Sequence, residues 1–218
     1  DFSKHATPSL VPRIREIWRS IPAQLAREQR KFMYGLIREG ARAREYENAL
    51  QWLHDAGLIH RVSRITKPAL PLNAYRDPRA FKLFLHDTGL LGALAGLPVT
   101  TVLEGDKLFT EFKGAMTEQY VLQELLPIER SIVGYWTAER SQAEVDFVIQ
   151  LDGSIHPLEV KASENLQSKS LRVYKERYNP PRCLRTSLSP WREEPWMTNI
   201  PLYLIGQMRR YIAEAAGA

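Results

Sequence analysis

Two carboxylates and an ammonium, Asp146, Glu159 and Lys161, fall on one face of a β-hairpin that can be read directly from the chain. The runs Glu144 to Leu151 and Ser154 to Lys161 are rich in β-formers and flank Asp152-Gly153, a pair that favours a two-residue type I′ loop. That loop sets residue 151 opposite 154. Asp146 is then expected opposite Glu159, and Glu144 opposite Lys161, all on one face because side chains alternate along a strand. Val145, Phe147, Ile149, Leu158 and Val160 form the other, apolar face. Directly opposed Cβ atoms lie about 4.5–5.5 Å apart, where like charges destabilise a sheet. A proton on one acid, a neighbouring cation or a divalent metal between them would relieve the repulsion. Lys161 is placed to be that cation, or to act beside a metal-activated water.

The elements around the hairpin follow from apolar periodicity. A helix from about Leu108 to Leu125 buries Phe109, Phe112, Val121, Leu122 and Leu125, with Glu111, Glu118 and Glu124 off that stripe. Strand Gly134 to Thr137 precedes the hairpin. A helix from Ser168 to Tyr178 turns Leu171 and Tyr174 inward, strand Cys183 to Leu188 follows, and Ile200 to Ile205 leads to a terminal helix through Tyr211. Trp191 and Trp196, set among prolines, read as packing over the sheet edge.

Nearer the start, Ile14, Ile17, Trp18 and Ile21 mark a helix from Pro12 to about Arg19. Ser20 as N-cap with Pro22 in the first turn predicts a second helix through Leu25, Phe32 and Leu36, stopping at Gly35 or Gly40. A third, from about Arg42 to Asp55, buries Tyr46, Ala49, Leu50 and Leu53 and ends at Gly57, before strand Leu58 to Ile65. Three helices and then a basic β-excursion with Arg61, Arg64 and Lys67 is the order of a winged helix-turn-helix, whose third helix enters the DNA major groove from its N-terminal end. Here that end carries Arg38, Arg42 and Arg44, able to meet phosphates or guanine edges, or simply a solvated helix face. Phe81 to Leu85 reads as a buried strand, and Asp87 as the cap of a helix through Leu90, Leu91 and Leu94. Gly96 to Lys107, with Pro98, reads as a connection between domains at 1–100 and 101–218.

Composition narrows the function. The 218 residues are 44% hydrophobic, and no apolar run approaches the roughly 18–20 residues that span a bilayer, so no membrane role is expected. The lone Cys183 excludes an internal disulfide or a cysteine-based zinc cluster and suits a reducing cytoplasm. The five histidines include no pair at metal-ligand spacing. A net charge of +5 fits a polyanion partner such as DNA. The opening Asp-Phe-Ser-Lys, with neither an initiator Met nor a secretory signal, suggests a piece of a longer chain.

The order helix, three strands, helix, strand, with Asp146, Glu159-Val160-Lys161 and an upstream helical Glu118, resembles the PD-(D/E)xK nuclease-like superfamily. The resemblance implies an α/β (α+β) protein in which a winged helix-turn-helix precedes a restriction-endonuclease-like αβββαβ domain. It also implies that Asp146 and Glu159 hold magnesium, for which manganese could substitute, and that Glu118 is an outer or second-metal ligand. Lys161 would then orient the water or stabilise the developing charge, and Lys169 would meet nucleic acid. Val145 stands where many members have Pro before the first acid.

A wider set covers most of the chain: Ser20 to Leu25, Lys31-Phe32, Tyr46 to Gly57, Phe81 to Leu83, Asp87 to Leu90, Glu144 to Phe147 and Glu159 to Lys161. Together these resemble the C-terminal region of predicted AAA-type ATPases, where a nucleotide-binding domain precedes a winged-helix and nuclease-like region. No Gly-x-x-x-x-Gly-Lys-Ser/Thr loop occurs in these residues, so ATP binding and hydrolysis are expected of an N-terminal domain outside them. Two functions follow. One is a magnesium-dependent DNA endonuclease, in which the metal activates water and Lys161 supports the attacked phosphate. The other is a catalytically inactive nuclease-fold module that binds DNA or protein for the ATPase domain, with Lys161 paired to Glu144 and Asp146. A shared fold does not decide between them. A protein-binding scaffold and a homo-oligomer are both compatible with this reading.

Overall fold

A computed structural model of the chain describes residues 2–27, 30–98, 110–139, 142–162 and 168–216. The chain divides into two compact units, Asp1–Arg61 with Ala80–Gln119, and Val62–Arg79 with Tyr120–Ala218.

In the first unit, α1 (Val11–Leu25) buries Ile14, Ile17, Ile21 and Leu25 completely. The predicted break at Ser20 to Pro22 does not occur. The helix passes through Pro22, and the Ser20 hydroxyl donates to Ile17 O at 2.8 Å inside it instead of capping a new one. Proline costs a helix one backbone hydrogen bond, but the apolar stripe runs on past it, and burying Ile21 and Leu25 outweighs that loss. The second helix expected for a winged helix-turn-helix is also not formed. Tyr34–Leu36 is a single 3-10 turn. This segment is held by tertiary contacts instead: Phe32 N donates to Phe81 O at 2.7 Å, and the Phe32 ring stacks on Phe81. Gln24 grips the Met33 backbone with both its amide oxygen and its amide nitrogen.

Helix α2 (Ala43–Asp55) buries the expected Tyr46, Ala49, Leu50 and Leu53 against α1, and the Tyr46 hydroxyl donates to Glu16 Oε2 at 2.6 Å. Strands β1 (Ile59–Ile65) and β2 (Arg76–Leu85) follow, β2 being longer than its buried Phe81 to Leu85 end suggested. Asp87 caps α3 (Thr88–Leu94) as expected, its Oδ1 accepting from Leu90 N at 2.8 Å. Most of the expected connection after Pro98, and Phe109, lie outside the described residues. Within α4 (Thr110–Leu125), Gln119 satisfies both backbone groups of Leu85, at 2.9 and 2.8 Å, as a neighbouring strand would.

The second unit is a mixed sheet. Its elements are β3 (Ile132–Thr137), β4 (Glu144–Leu151), β5 (Ser154–Val160), α5 (Lys169–Tyr178), β6 (Cys183–Ser187), β7 (Arg192–Glu194), β8 (Met197–Pro201) and α6 (Met208–Ala216). With the 62–65 and 76–79 stretches of β1 and β2 the strand order is β2-β1-β3-β4-β5-β6-β8-β7. The β3–β4–β5 meander is antiparallel, while β1–β3, β5–β6 and β6–β8 are parallel. Only a glycine fits at position 134: a Cβ there would lie 2.5 Å from the Ile65 side chain and 3.0 Å from Ser63 O. Leu171 and Tyr174 of α5 pack on Val145, Val148, Cys183, Met197 and Trp136, the Tyr174 ring edge-on to the indole at 5.2 Å.

Candidate functional site

The hairpin has the expected register, from Leu151↔Ser154 to Phe147↔Leu158, turned by Asp152 (φ 46°) and Gly153 (φ 78°). Positive φ at both positions is what a type I′ loop requires. Beyond Leu158 the pairing changes. Asp146 Oδ2 accepts the Val160 N–H at 2.8 Å, so a side chain takes a bond that a strand neighbour would otherwise make. On its other edge β4 is also irregular: Gly134 faces Val148 but Trp136 faces Val145, leaving Asp146 and Phe147 opposite Tyr135 alone. This is a β-bulge, which bends a strand and re-aims its side chains. Its effect is visible in the core, where Val145 and Val148, three residues apart, join one buried cluster. Strict alternation would put them on opposite faces, so the expectation of one apolar and one charged face is corrected at Asp146.

Glu159 is 5% exposed. Its Oε1 lies 2.7 Å from Lys161 Nζ, so Lys161 is the cation beside these acids as expected, but on Glu159 and not on the alternative partners Glu144 and Asp146. Glu159 also heads a polar row across three parallel strands, aligned with Arg185 of β6, which aligns with Asn199 of β8. Arg185 is 1% exposed; its Nε donates to Asn199 Oδ1 at 2.9 Å, and its Nη1 reaches Ser168 Oγ at the start of α5. Burial pulls the Arg185 guanidinium below its usual range, while Glu194 and Glu159 oppose the shift. Asn199 is anchored in turn, accepting from Ser187 Oγ and donating to Ser189 O and Pro190 O. The row was missed in the sequence, although Arg185 inside the otherwise uncharged strand Cys183–Ser187 is its signal.

Glu118 belongs to the first unit, 3% exposed, in ion pairs with Arg30 and with Lys82, whose Nζ lies 3.7 Å from its Oε2. Every carboxylate of the expected magnesium set therefore already has a partner from the chain itself. Among the described residues no group of three or more His, Cys, Asp or Glu is placed to hold a metal ion. Glu159 Oε2 and Glu118 Oε2 are buried without a hydrogen-bond partner among the described residues, so each of these two acids is engaged through ion pairs alone.

The basic candidates divide likewise. In the first unit, Arg42 and Arg44 are exposed at the start of α2, Arg38 is 3.3 Å from Glu45, and Arg61 pairs with Glu47 at 2.7 Å while lying over the Phe81 ring. In the second unit, Arg64 is held by Asp77 at 2.6 Å, Lys67 lies over the Tyr75 ring, and Lys169 is exposed at the first turn of α5. Arg61 and Arg64 thus serve the fold, whereas Arg42, Arg44 and Lys169 face solvent. No helix among the described residues is long and apolar enough to cross a membrane.

Residues 1–101 match the model of a domain of unknown function (DUF8612), and residues 113–202 that of another (DUF4143). No curated protein matches in sequence. Among solved structures, the chain is similar to protein VC1899 from Vibrio cholerae at 12% identity and a TM-score of 0.30. That match covers 96% of this chain, which spans 57% of the other protein's length.

Proposed function

We propose that this chain is the C-terminal region of an AAA-type ATPase and that its αβββαβ domain is a nuclease-fold module that binds DNA without cutting it. The observation that carries the reading is that each acid is engaged from within the chain: Asp146 by the Val160 N–H, Glu159 by Lys161, and Glu118 by Arg30 and Lys82. A metal on Glu159 Oε1 or Asp146 Oδ2 would displace a bond that the fold itself supplies, and a displaced Val160 N–H would need another acceptor. The link to an ATPase is supported by the domain matched at 113–202, which is typically found in AAA-ATPase-containing proteins. DNA contact is supported by the exposed Arg42, Arg44 and Lys169 and by the net charge of +5.

The test is incubation of the chain with supercoiled plasmid in magnesium or manganese, beside a Glu159→Ala control, together with a binding titration at several salt concentrations. The reading expects intact plasmid and an affinity that falls steeply with salt. Nicking by the wild type that the control lacks would establish the endonuclease instead. Undetectable or salt-independent binding would remove DNA.

A further inference from the structure

The sheet face away from Glu159 and Arg185 carries a cavity on which the proposed function does not draw. Along β5 the alternate residues Ser154 and His156 point to this side, and with Arg182, Trp191, Thr198 and Tyr211 they line a cavity of about 210 Å³. The whole cavity lies within the second unit. Its volume exceeds the roughly 150 Å³ that accommodates a benzene molecule in an apolar protein cavity, so one ring with a small substituent fits.

The walls differ in chemistry. Trp191 and Tyr211 meet with ring centroids 4.8 Å apart. Trp191 was expected to pack over the sheet edge, yet it is 37% exposed. Arg182 is fixed in the wall by its Nε, which donates to Thr198 Oγ1 at 2.8 Å, and among the described residues no acidic side chain lines the cavity. His156 is 3% exposed, and both its ring nitrogens are buried without a hydrogen-bond partner among the described residues. Leaving such groups unsatisfied is expensive, and an occupant that bonds them recovers the cost. Burial also holds the imidazole below its ordinary pKa, so it is neutral near pH 7, with one nitrogen donating and the other accepting.

We propose that this cavity is a binding site for a small planar carboxylate of one aromatic ring: the ring against Trp191 and Tyr211, the carboxylate on Arg182, and a polar ring atom on His156. The fixed guanidinium selects the anion, since charge-assisted bonds from arginine to carboxylate are the stronger kind. The imidazole selects a heteroaromatic ring over a plain one, because only the former offers it a partner. The site is independent of whether the Glu159 face cuts DNA.

The test is calorimetry of the intact chain with nicotinate, benzoate and the uncharged nicotinamide. Saturable nicotinate binding is expected, about tenfold tighter than nicotinamide. Arg182→Gln, at a half-buried position outside the strands, should erase that preference with the fold intact by circular dichroism. His156→Leu should weaken nicotinate and leave benzoate unchanged. If neither carboxylate saturates at about 10 mM, or if Arg182→Gln binds nicotinate as wild type does, the assignment is overturned.

Discussion

Replacing Lys161 by Met removes the cation from a glutamate that is almost wholly buried. At an effective dielectric of about 20, unit charges 2.7 Å apart attract by about 6 kcal/mol. Desolvation of Glu159 offsets part of that, and the Lys161 side chain is 30% exposed, so water screens more. One-sided removal from a buried pair costs about 3–5 kcal/mol, and the exposure of Lys161, with Arg185 still aligned beside Glu159, places this case at about 2–3 kcal/mol. The assay is urea unfolding in EDTA. With a slope of about 2–3 kcal/mol/M, Lys161→Met should lower the midpoint by about 1 M. Glu159→Gln, which keeps the side-chain shape and lets Lys161 turn to solvent, should cost about 1 kcal/mol. The double variant should recover most of the Lys161→Met loss, because no buried charge is left without its cation. A midpoint unchanged in Lys161→Met, or a double variant that loses the sum of both singles, would refute a structural ion pair.

Three further outcomes follow from the same structure. Asp146→Ala strips the Val160 N–H of its acceptor and should cost about 1–3 kcal/mol in urea unfolding, whereas Asp146→Asn keeps an oxygen there and should cost less; equal losses would contradict the bond as drawn. Gly134→Ala should cost about 2–3 kcal/mol, since its methyl meets Ile65 and the Ser63 carbonyl, and a neutral result would place β1 farther from β3 than described. His156 and His60 are both held below their ordinary pKa, each by burial first and His60 also by His86 and His54. Their stabilising contribution is complete above about pH 6.5 and is lost as pH falls toward the folded values, because the unfolded chain takes up protons that the folded one refuses. Each group adds at most about 1.4 kcal/mol per pH unit, and His156→Gln should flatten the fall of urea midpoint between pH 7.5 and 5; an unchanged slope would show that His156 titrates normally.

The hairpin was legible because its determinants are local. Asp152-Gly153 selects the turn, the turn sets the register, and Leu151↔Ser154 through Phe147↔Leu158 follow. Helix α2 and the Asp87 cap were legible for the same reason. What the sequence hid depends on contacts distant along the chain. The segment around Phe32 has helical-looking spacing but is fixed by the strand backbone at Phe81, 49 residues on, and by Gln24. The bulge at Asp146 arises where β4 must pair with β3 past the close approach of Gly134 to Ile65, which nothing in the Glu144 to Leu151 run announces. Strand β7 is three residues, Arg-Glu-Glu, with no apolar run to mark it. At the candidate site the acids and Lys161 were visible, but their partners Val160 N–H, Arg30 and Lys82 were not, because alternation gives the face of a side chain and not what it meets.

Because Asp146, Glu159 and Glu118 each bond to a group of the chain itself, manganese titration of the wild-type protein by calorimetry, with Glu159→Gln in parallel, decides whether those bonds exclude a metal. No saturable heat is expected for either protein at millimolar metal. Stoichiometric binding to the wild type that disappears in Glu159→Gln would contradict it and return the site to metal-dependent cleavage.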